Sequence, residues 1–215
     1  MIVFRSKCNF DEIHDMRSLF VLPLFFFVFQ VQGQELSPSC SHRGIHVGER
    51  TEVDDFRSDS IDILHTIISI DFSNSSAQSL VGNSAITFSP KMEGVNRVKF
   101  DFEGLIVDSV IGSGVQSFNH LDSFLIIDYS SPFALGQNRE LTVYYHGSPL
   151  KDASGWGGFY FTGGFIFNLG VGFAADPHSY GRVWFPCFDN FIERSTFEFF
   201  ITTASDKRAA CNGAL

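Results

Sequence analysis

"SIDILHTIISIDF", residues 60–72, sets apolar and β-branched side chains at every second position. Leu64, Thr66, Ile68, Ile70 and Phe72 fall on one face of an extended chain, because successive strand side chains point to opposite sides. The stretch reads as a half-buried β-strand. Comparable runs follow it: "LVGNSAITFSP" (80–90), "VNRVKFDF" (95–102), "LIVDSVIG" (105–112), "SFLIIDYS" (123–130), "ELTVYYHG" (140–147), "GGFYFTGGFIFNLG" (157–170) and "STFEFFITTA" (195–204). Gly, Asn, Ser and Pro turns separate them, and no ten-residue stretch shows a 3.6-residue apolar stripe. The pattern predicts an all-β domain, an antiparallel sandwich or large curved sheet with almost no helix.

The glycine-rich part, "GWGGFYFTGGFIFNLGVGF" (155–173), alternates glycine with aromatics. A phosphate-binding loop needs a helix N-terminus directly after it, and strand-like sequence follows here instead. Bulges and close backbone approach beside large rings are the expected use of these glycines. There is no internal repeat of fixed period.

The 215 residues, 44% hydrophobic and 18% charged, fit one globular domain with or without a leader. A formal net charge of -9 with no basic cluster excludes a phosphate-backbone partner, whose binding depends on Lys and Arg releasing counterions. Nucleic acid is not expected.

Residues 19–29, "LFVLPLFFFVF", are too short for a membrane span of about 20 residues and match a signal-peptide core, with Arg17 as its positive flank. Val31 and Gly33 satisfy a small-residue cleavage rule, which predicts a signal peptide over 1–33 and a mature start at Gln34. Asp11, Glu12 and Asp15 are foreign to a signal n-region, which makes Met16 an alternative start of translation. Residues 34–57 form a polar arm, and the β domain runs over 58–215. Export would place the product in the periplasm, at the cell surface or outside the cell. It would leave Cys40, Cys187 and Cys211, an odd number, in an oxidising compartment.

Catalytic motifs are missing. His42 and His46 in "HRGIH" have the i, i+4 interval of a zinc site, but Gly44 disfavours a helix and Arg43 stands where the general-base Glu belongs. His65, His120, His146 and His178 are scattered singly. No G-x-S-x-G elbow, CxxC or Cys/His cluster occurs. The catalytic and metal sets are therefore expected to be empty, and no substrate-binding residue is assigned.

"RVWFPCFDNFIERSTFEFFITT" (182–203) resembles the signature of the M1 family of zinc aminopeptidases, whose N-terminal domain carries an FPC-x-D segment leading into a strand. The upstream strands follow in the order of that domain, and "CNGAL" (211–215) resembles its SNG-x-L strand end. The likeness covers about residues 58–215. It implies a saddle-like antiparallel β-sandwich, with Arg182, Trp184, Phe185, Pro186, Cys187 and Asp189 as structural signature residues.

The family's HExxH, its distant zinc-binding Glu and its GxMEN motif are not in this sequence. The resemblance therefore implies a non-catalytic N-terminal domain, or a fragment of one, with no cofactor of its own. The zinc would belong to a peptidase domain of the parent enzyme, and that domain would be the partner. Where relatives carry TQ-x-E, this chain has "FAADPHS", with Asp176 its sole acid. Asp189, Asn190 and Phe191 replace the common DEP, and Arg194 replaces a Lys.

Asp189 suits a turn, since its carboxylate can accept backbone N–H groups one to two residues further on, with Pro186 presetting the chain just before it. Trp184, Phe185 and Phe188 are expected core or interdomain anchors. Cys187 and Cys211 bracket a strand and could form a disulfide, worth ~3.5 kcal/mol on the chain-entropy model, or Cys187 could be a buried thiol. The expected role is to buttress a peptidase domain and line its substrate channel. The alternative is a stand-alone extracellular module that binds peptide or carbohydrate on its aromatic edge.

Overall fold

The computed structural model describes residues 2–8, 57–190 and 193–213, the first of these as backbone. The apolar run 19–29, the cleavage position at Gly33, the polar arm, His42, His46 and Cys40 lie outside the described residues, as does Phe191.

Eleven strands make up the described fold: β1 (Ile2–Cys8), β2 (Ile61–Phe72), β3 (Leu80–Pro90), β4 (Arg97–Asp101), β5 (Ile106–Gly112), β6 (Val115–Leu121), β7 (Phe124–Tyr129), β8 (Arg139–Gly147), β9 (Gly157–Thr162), β10 (Phe165–Gly172) and β11 (Thr196–Thr203). The one α-helix among the described residues is a single turn, α1 (Arg57–Ser60), which leads into β2. Six strands form one sheet in the order β1-β11-β2-β3-β8-β5, three form a second, β4-β7-β6, and β9 and β10 form a hairpin.

The sheets are antiparallel except where β11 runs parallel to β2, with Thr196 opposite His65 and Thr203 opposite Phe72. A parallel pair needs a long crossover, and here most of the domain lies between the two strands. This is a departure from a purely antiparallel sandwich.

The core lies where the inner faces of the two larger sheets meet. Ile68, Ile70, Ile86, Phe88, Leu141, Val143 and Tyr145 from the large sheet are buried, as are Val98, Phe100, Leu125 and Ile127 from the small one. Phe88 meets Tyr129 edge to face at 6.5 Å across the layers, a favoured aromatic geometry. Alternation along β2 does not run through unbroken. The β2–β3 register slips between Ile63 and His65, so Leu64 is a bulge residue with no opposite number. The extra residue changes which parity faces inward. Ile61 and Ile63 are therefore buried with Thr66, Ile68, Ile70 and Phe72, and Leu64, expected on the inner face, is half-buried.

β6 has no apolar alternation in its sequence, because its residues are mostly exposed. Its pairing with β7, Phe118 opposite Ile127 and His120 opposite Leu125, keeps it in the sheet. β1 falls in the segment read as leader and pairs antiparallel along β11, from Ile2 opposite Thr203 to Cys8 opposite Phe197.

Tyr145, fully buried in β8, places its phenol oxygen 3.0 Å from Ser84 Oγ, also buried, on neighbouring β3. Two polar atoms satisfy each other there inside an apolar layer. Tyr145→Phe is expected to cost about 1–2 kcal/mol, because it leaves the Ser84 hydroxyl buried and alone, measurable as a lower urea midpoint at unchanged slope. Burial raises the Tyr145 phenol above its ordinary value of 10, against the opposing hydrogen bond from Ser84. Burial likewise raises Tyr129, against Arg139. The stability these phenols contribute is whole below pH 10 and is lost as pH rises beyond it. Absorbance at 295 nm should show both ionising only with alkaline unfolding. Full ionisation near pH 10 with the far-UV spectrum intact would contradict this.

Candidate functional site

Residues 181–189 connect the hairpin region to β11 and contain the sequence signature. Gly181–Val183 form a single 3-10 turn, after which the chain runs extended past β4. Asp101, the last residue of β4, exchanges two backbone bonds with Cys187: Asp101 N–H to Cys187 O at 2.8 Å and Cys187 N–H to Asp101 O at 3.1 Å. The Glu103 N–H reaches Arg182 O at 2.9 Å.

Asp189 closes this segment. Its Oδ1 accepts the Gly181 N–H at 3.1 Å, and its Oδ2 accepts the Arg182 N–H at 3.3 Å and Arg182 Nη1 at 3.0 Å. Its own N–H donates to Asp101 Oδ2 at 2.8 Å, and its carbonyl accepts Ser179 Oγ at 2.7 Å. Both carboxylates are buried. The Arg182 side chain, 14% exposed, turns its Nε to Glu103 Oε2 at 3.1 Å. Burial opposes the guanidinium charge, and Asp189 and Glu103 outweigh it, holding the group above its ordinary value.

The flanking aromatics join three elements. Phe188 stacks on Phe100 of β4 at 5.6 Å, Phe185 meets Phe197 of β11 edge to face at 5.9 Å, and Trp184 stacks on Phe199 of β11 at 6.1 Å. Trp184 also lies 6.1 Å from Phe159 of β9. Phe185, Pro186 and Phe188 are buried. Cys187 is half-buried and Cys211 exposed, and both are thiols in the structure.

Trp184, Phe199, Phe72 and Phe159 line a groove of about 760 Å³, closed on its other sides by residues 163–170 of the hairpin and by the segment 206–212. The hairpin is held at its base by Asp152. Asp152 Oδ2 accepts the Ser154 N–H at 3.0 Å, the Ser154 hydroxyl and the Ala174 N–H at 2.9 Å, so one carboxylate ties the approach to β9 to the exit from β10. Gly157 and Gly158 sit at φ +130° and +76°, and a Cβ on Gly157 would lie 2.2 Å from Val171 O. Close strand approach explains glycine there, and the phosphate-loop reading fails.

Among the described residues no group of three or more His, Cys, Asp and Glu could hold a metal. One grouping imitates a catalytic triad: His65 Nδ1 lies 2.7 Å from Thr196 Oγ1, and His65 Nε2 lies 3.8 Å from Glu198 Oε2. The Thr196 hydroxyl, however, donates to Leu64 O at 3.1 Å. Its proton is directed at a carbonyl and its oxygen accepts from the imidazole, the reverse of an activated nucleophile. Elsewhere His146 pairs with Asp108 at 2.9 Å on the surface, His120 bonds Phe102 O, and His178 bonds Ala175 O. Asp176 is exposed in the loop after β10.

Asp189→Ala is expected to destabilise by about 3–5 kcal/mol, because it strips a buried guanidinium of its nearest counter-charge, whereas Asp189→Asn keeps an acceptor and should lose less. Urea denaturation of both variants checks the order. Hydrogen bonds from Ser154, against desolvation, and from the Ala174 and Ala175 backbone hold the Asp152 carboxyl below its ordinary 3.8. The stability it contributes is present above that value and is lost as pH falls through the lower folded one. Asp152→Asn should therefore flatten the acid limb of hydrogen-exchange protection in residues 157–172.

No family model matches the chain, and no curated protein does. Solved structures do. An M1 zinc metallopeptidase from Deinococcus radiodurans, bound to a Tyr-Ser-Ala substrate, superposes with a TM-score of 0.57 at 20% identity over 67% of this chain and 33% of its own. A two-domain M1 zinc metallopeptidase bound to L-arginine gives 0.59 at 18% identity, covering 72% of this chain and 37% of its own. Yeast LTA4 hydrolase with bestatin gives 0.50 at 20% identity, over 67% and 23%. The chain thus spans about a third or less of the length of the structures it matches. No helix among the described residues is long and apolar enough to cross a membrane. The fold is that of the N-terminal β domain of M1 zinc metallopeptidases.

Proposed function

We propose that this chain is the non-catalytic N-terminal domain of a secreted zinc metallo-aminopeptidase, in which it buttresses the peptidase domain and lines one wall of the substrate channel. The observation that carries the reading is the FPC-x-D segment built as a structural clamp inside a fold matched to M1 metallopeptidase structures. The parent enzyme would release N-terminal amino acids from peptides, with zinc activating the attacking water in the peptidase domain. This chain contributes shape. Its buried charges, Asp101, Asp189 and Arg182, bind one another and backbone groups.

The second reading, a stand-alone extracellular module for peptide or carbohydrate, draws on the aromatic walls of the groove beside the hairpin. The two separate on one measurement. Saturable binding of a peptide or oligosaccharide by residues 34–215 alone, abolished by Trp184→Ala, favours the module.

The purified chain is expected to show no zinc-dependent hydrolysis of aminoacyl anilides, and turnover that survives purification and stops with chelator would refute the non-catalytic role. Export with cleavage after Gly33 would also remove β1 and uncover the outer edge of β11. In the exported product, intact mass should begin at Gln34, and the β11 amides that face β1 should exchange faster than in the unprocessed chain. A bond between Cys187 and Cys211 in the oxidising compartment belongs to the same proposal, and the mass of the non-reduced peptide pair checks it.

A further inference from the structure

The β9–β10 hairpin has two apolar faces and uses one of them. Phe159, Phe161 and Ile166 turn toward the core, where Phe72 meets Phe159 at 5.7 Å and Phe161 at 6.3 Å. Register puts Phe165 opposite Thr162 and Phe167 opposite Tyr160, on the other face. There Phe167 stacks on Tyr160 at 5.0 Å, and Phe165 is 73% and Phe167 40% exposed. Leu169 and Val171 continue the exposed set along β10, and Trp156 and Phe173 flank the base at 67% and 63%.

Six of the fourteen large exposed hydrophobics among the described residues thus fall within residues 156–173. The others are dispersed, and those on the large sheet lie among polar neighbours such as the His146–Asp108 pair. From Ala153 to Ala175 the sequence holds no Lys, Arg, Asp, Glu or His. Solvent-facing strand edges are ordinarily defended by charge or proline. Absence of charge together with concentrated aromatics is instead the composition of an interface core.

We propose that the outward face of this hairpin is where the peptidase domain seats, with Phe165 and Phe167 as its central anchors. The inference rests on the reading of the chain as an M1 N-terminal domain. The peptidase domain is favoured over a second copy because the matched M1 structures extend well beyond the region this chain covers, and one is described as two-domain. Such a domain would supply a large apolar counterface in fixed stoichiometry.

The test uses the natural full-length gene product with benzoylphenylalanine in place of Phe165 or Phe167, and in place of Ile106 or Ile111 as exposed apolar controls on β5. Neither hairpin position packs into the core, and an unchanged far-UV spectrum confirms folding. After irradiation, mass spectrometry should map hairpin crosslinks to the domain containing HExxH and GxMEN, with no such crosslink from the controls. Crosslinks to that domain only from Ile106 or Ile111 would overturn this assignment and leave the domain reading standing. Crosslinks from Phe165 or Phe167 to a second copy of the same hairpin would overturn it in favour of a homodimer face. A gene product with no HExxH domain would overturn both.

Discussion

The Asp189 carboxylate is the constraint on which the rest of the domain depends. Between β10 and β11 the chain must cross from the hairpin to the large sheet through buried territory, where it has no ladder to satisfy its amides. Buried backbone groups without partners cost as much as lost hydrogen bonds. Asp189 meets this need by taking the Gly181 and Arg182 N–H groups, while its own N–H and carbonyl go to Asp101 and Ser179. Two carboxylates buried together would repel, and a single Arg182 inserted beside them supplies the compensating charge. Buried ion pairs seldom stabilise more than a well-packed apolar substitute would. What this one provides is direction, since the fork of hydrogen bonds admits one path for the chain.

That path sets everything the aromatics can reach. With residues 181–189 fixed along the end of β4, Phe188 meets Phe100, Phe185 meets Phe197, and Trp184 lies between Phe159 and Phe199. The hairpin is therefore bound to the sheets through side chains, Phe72 and Trp184 against Phe159 and Phe161, rather than through a continuous ladder. Its inner face is consumed in that attachment. Its outer face carries no such contacts, and the groove on its inner side, lined by Phe72, Phe159 and Trp184, is a consequence of hanging a hairpin beside a sheet.

Sequence made much of this legible, because strand periodicity is a local property. Seven alternating runs correspond to β2, β3, β4, β5, β7, β8 and β11, and the run 157–170 resolves into β9 and β10. What failed was non-local. Leu64 is a bulge because of how β2 pairs with β3, and no pattern within residues 60–72 marks the slip. β6 is recruited by β7 with scarcely any apolar signal of its own, and the parallel pairing of β11 with β2 depends on chain path. An acceptor of backbone N–H groups at Asp189 was readable from residue type, although the donors are Gly181 and Arg182 upstream and not the residues one to two further on. Asp101 as its partner, 88 residues away, was not. The same limit applies to the hairpin: alternating aromatics announce two apolar faces, and only the fold decides which one is covered.

The distribution of polar chemistry follows the same division. Buried Asp101, Asp189 and Arg182 bind one another and backbone groups, and the described histidines are engaged with carbonyls, a hydroxyl or a surface carboxylate. A catalytic site requires groups held close but left available to a substrate. Among the described residues Asp101, Asp189 and Arg182 are satisfied internally, and the hairpin leaves uncharged aromatic surface outside. On the proposed reading, in which another domain completes the site, such apolar surface can be covered on assembly without stranding a charge, whereas a row of unpaired carboxylates could not.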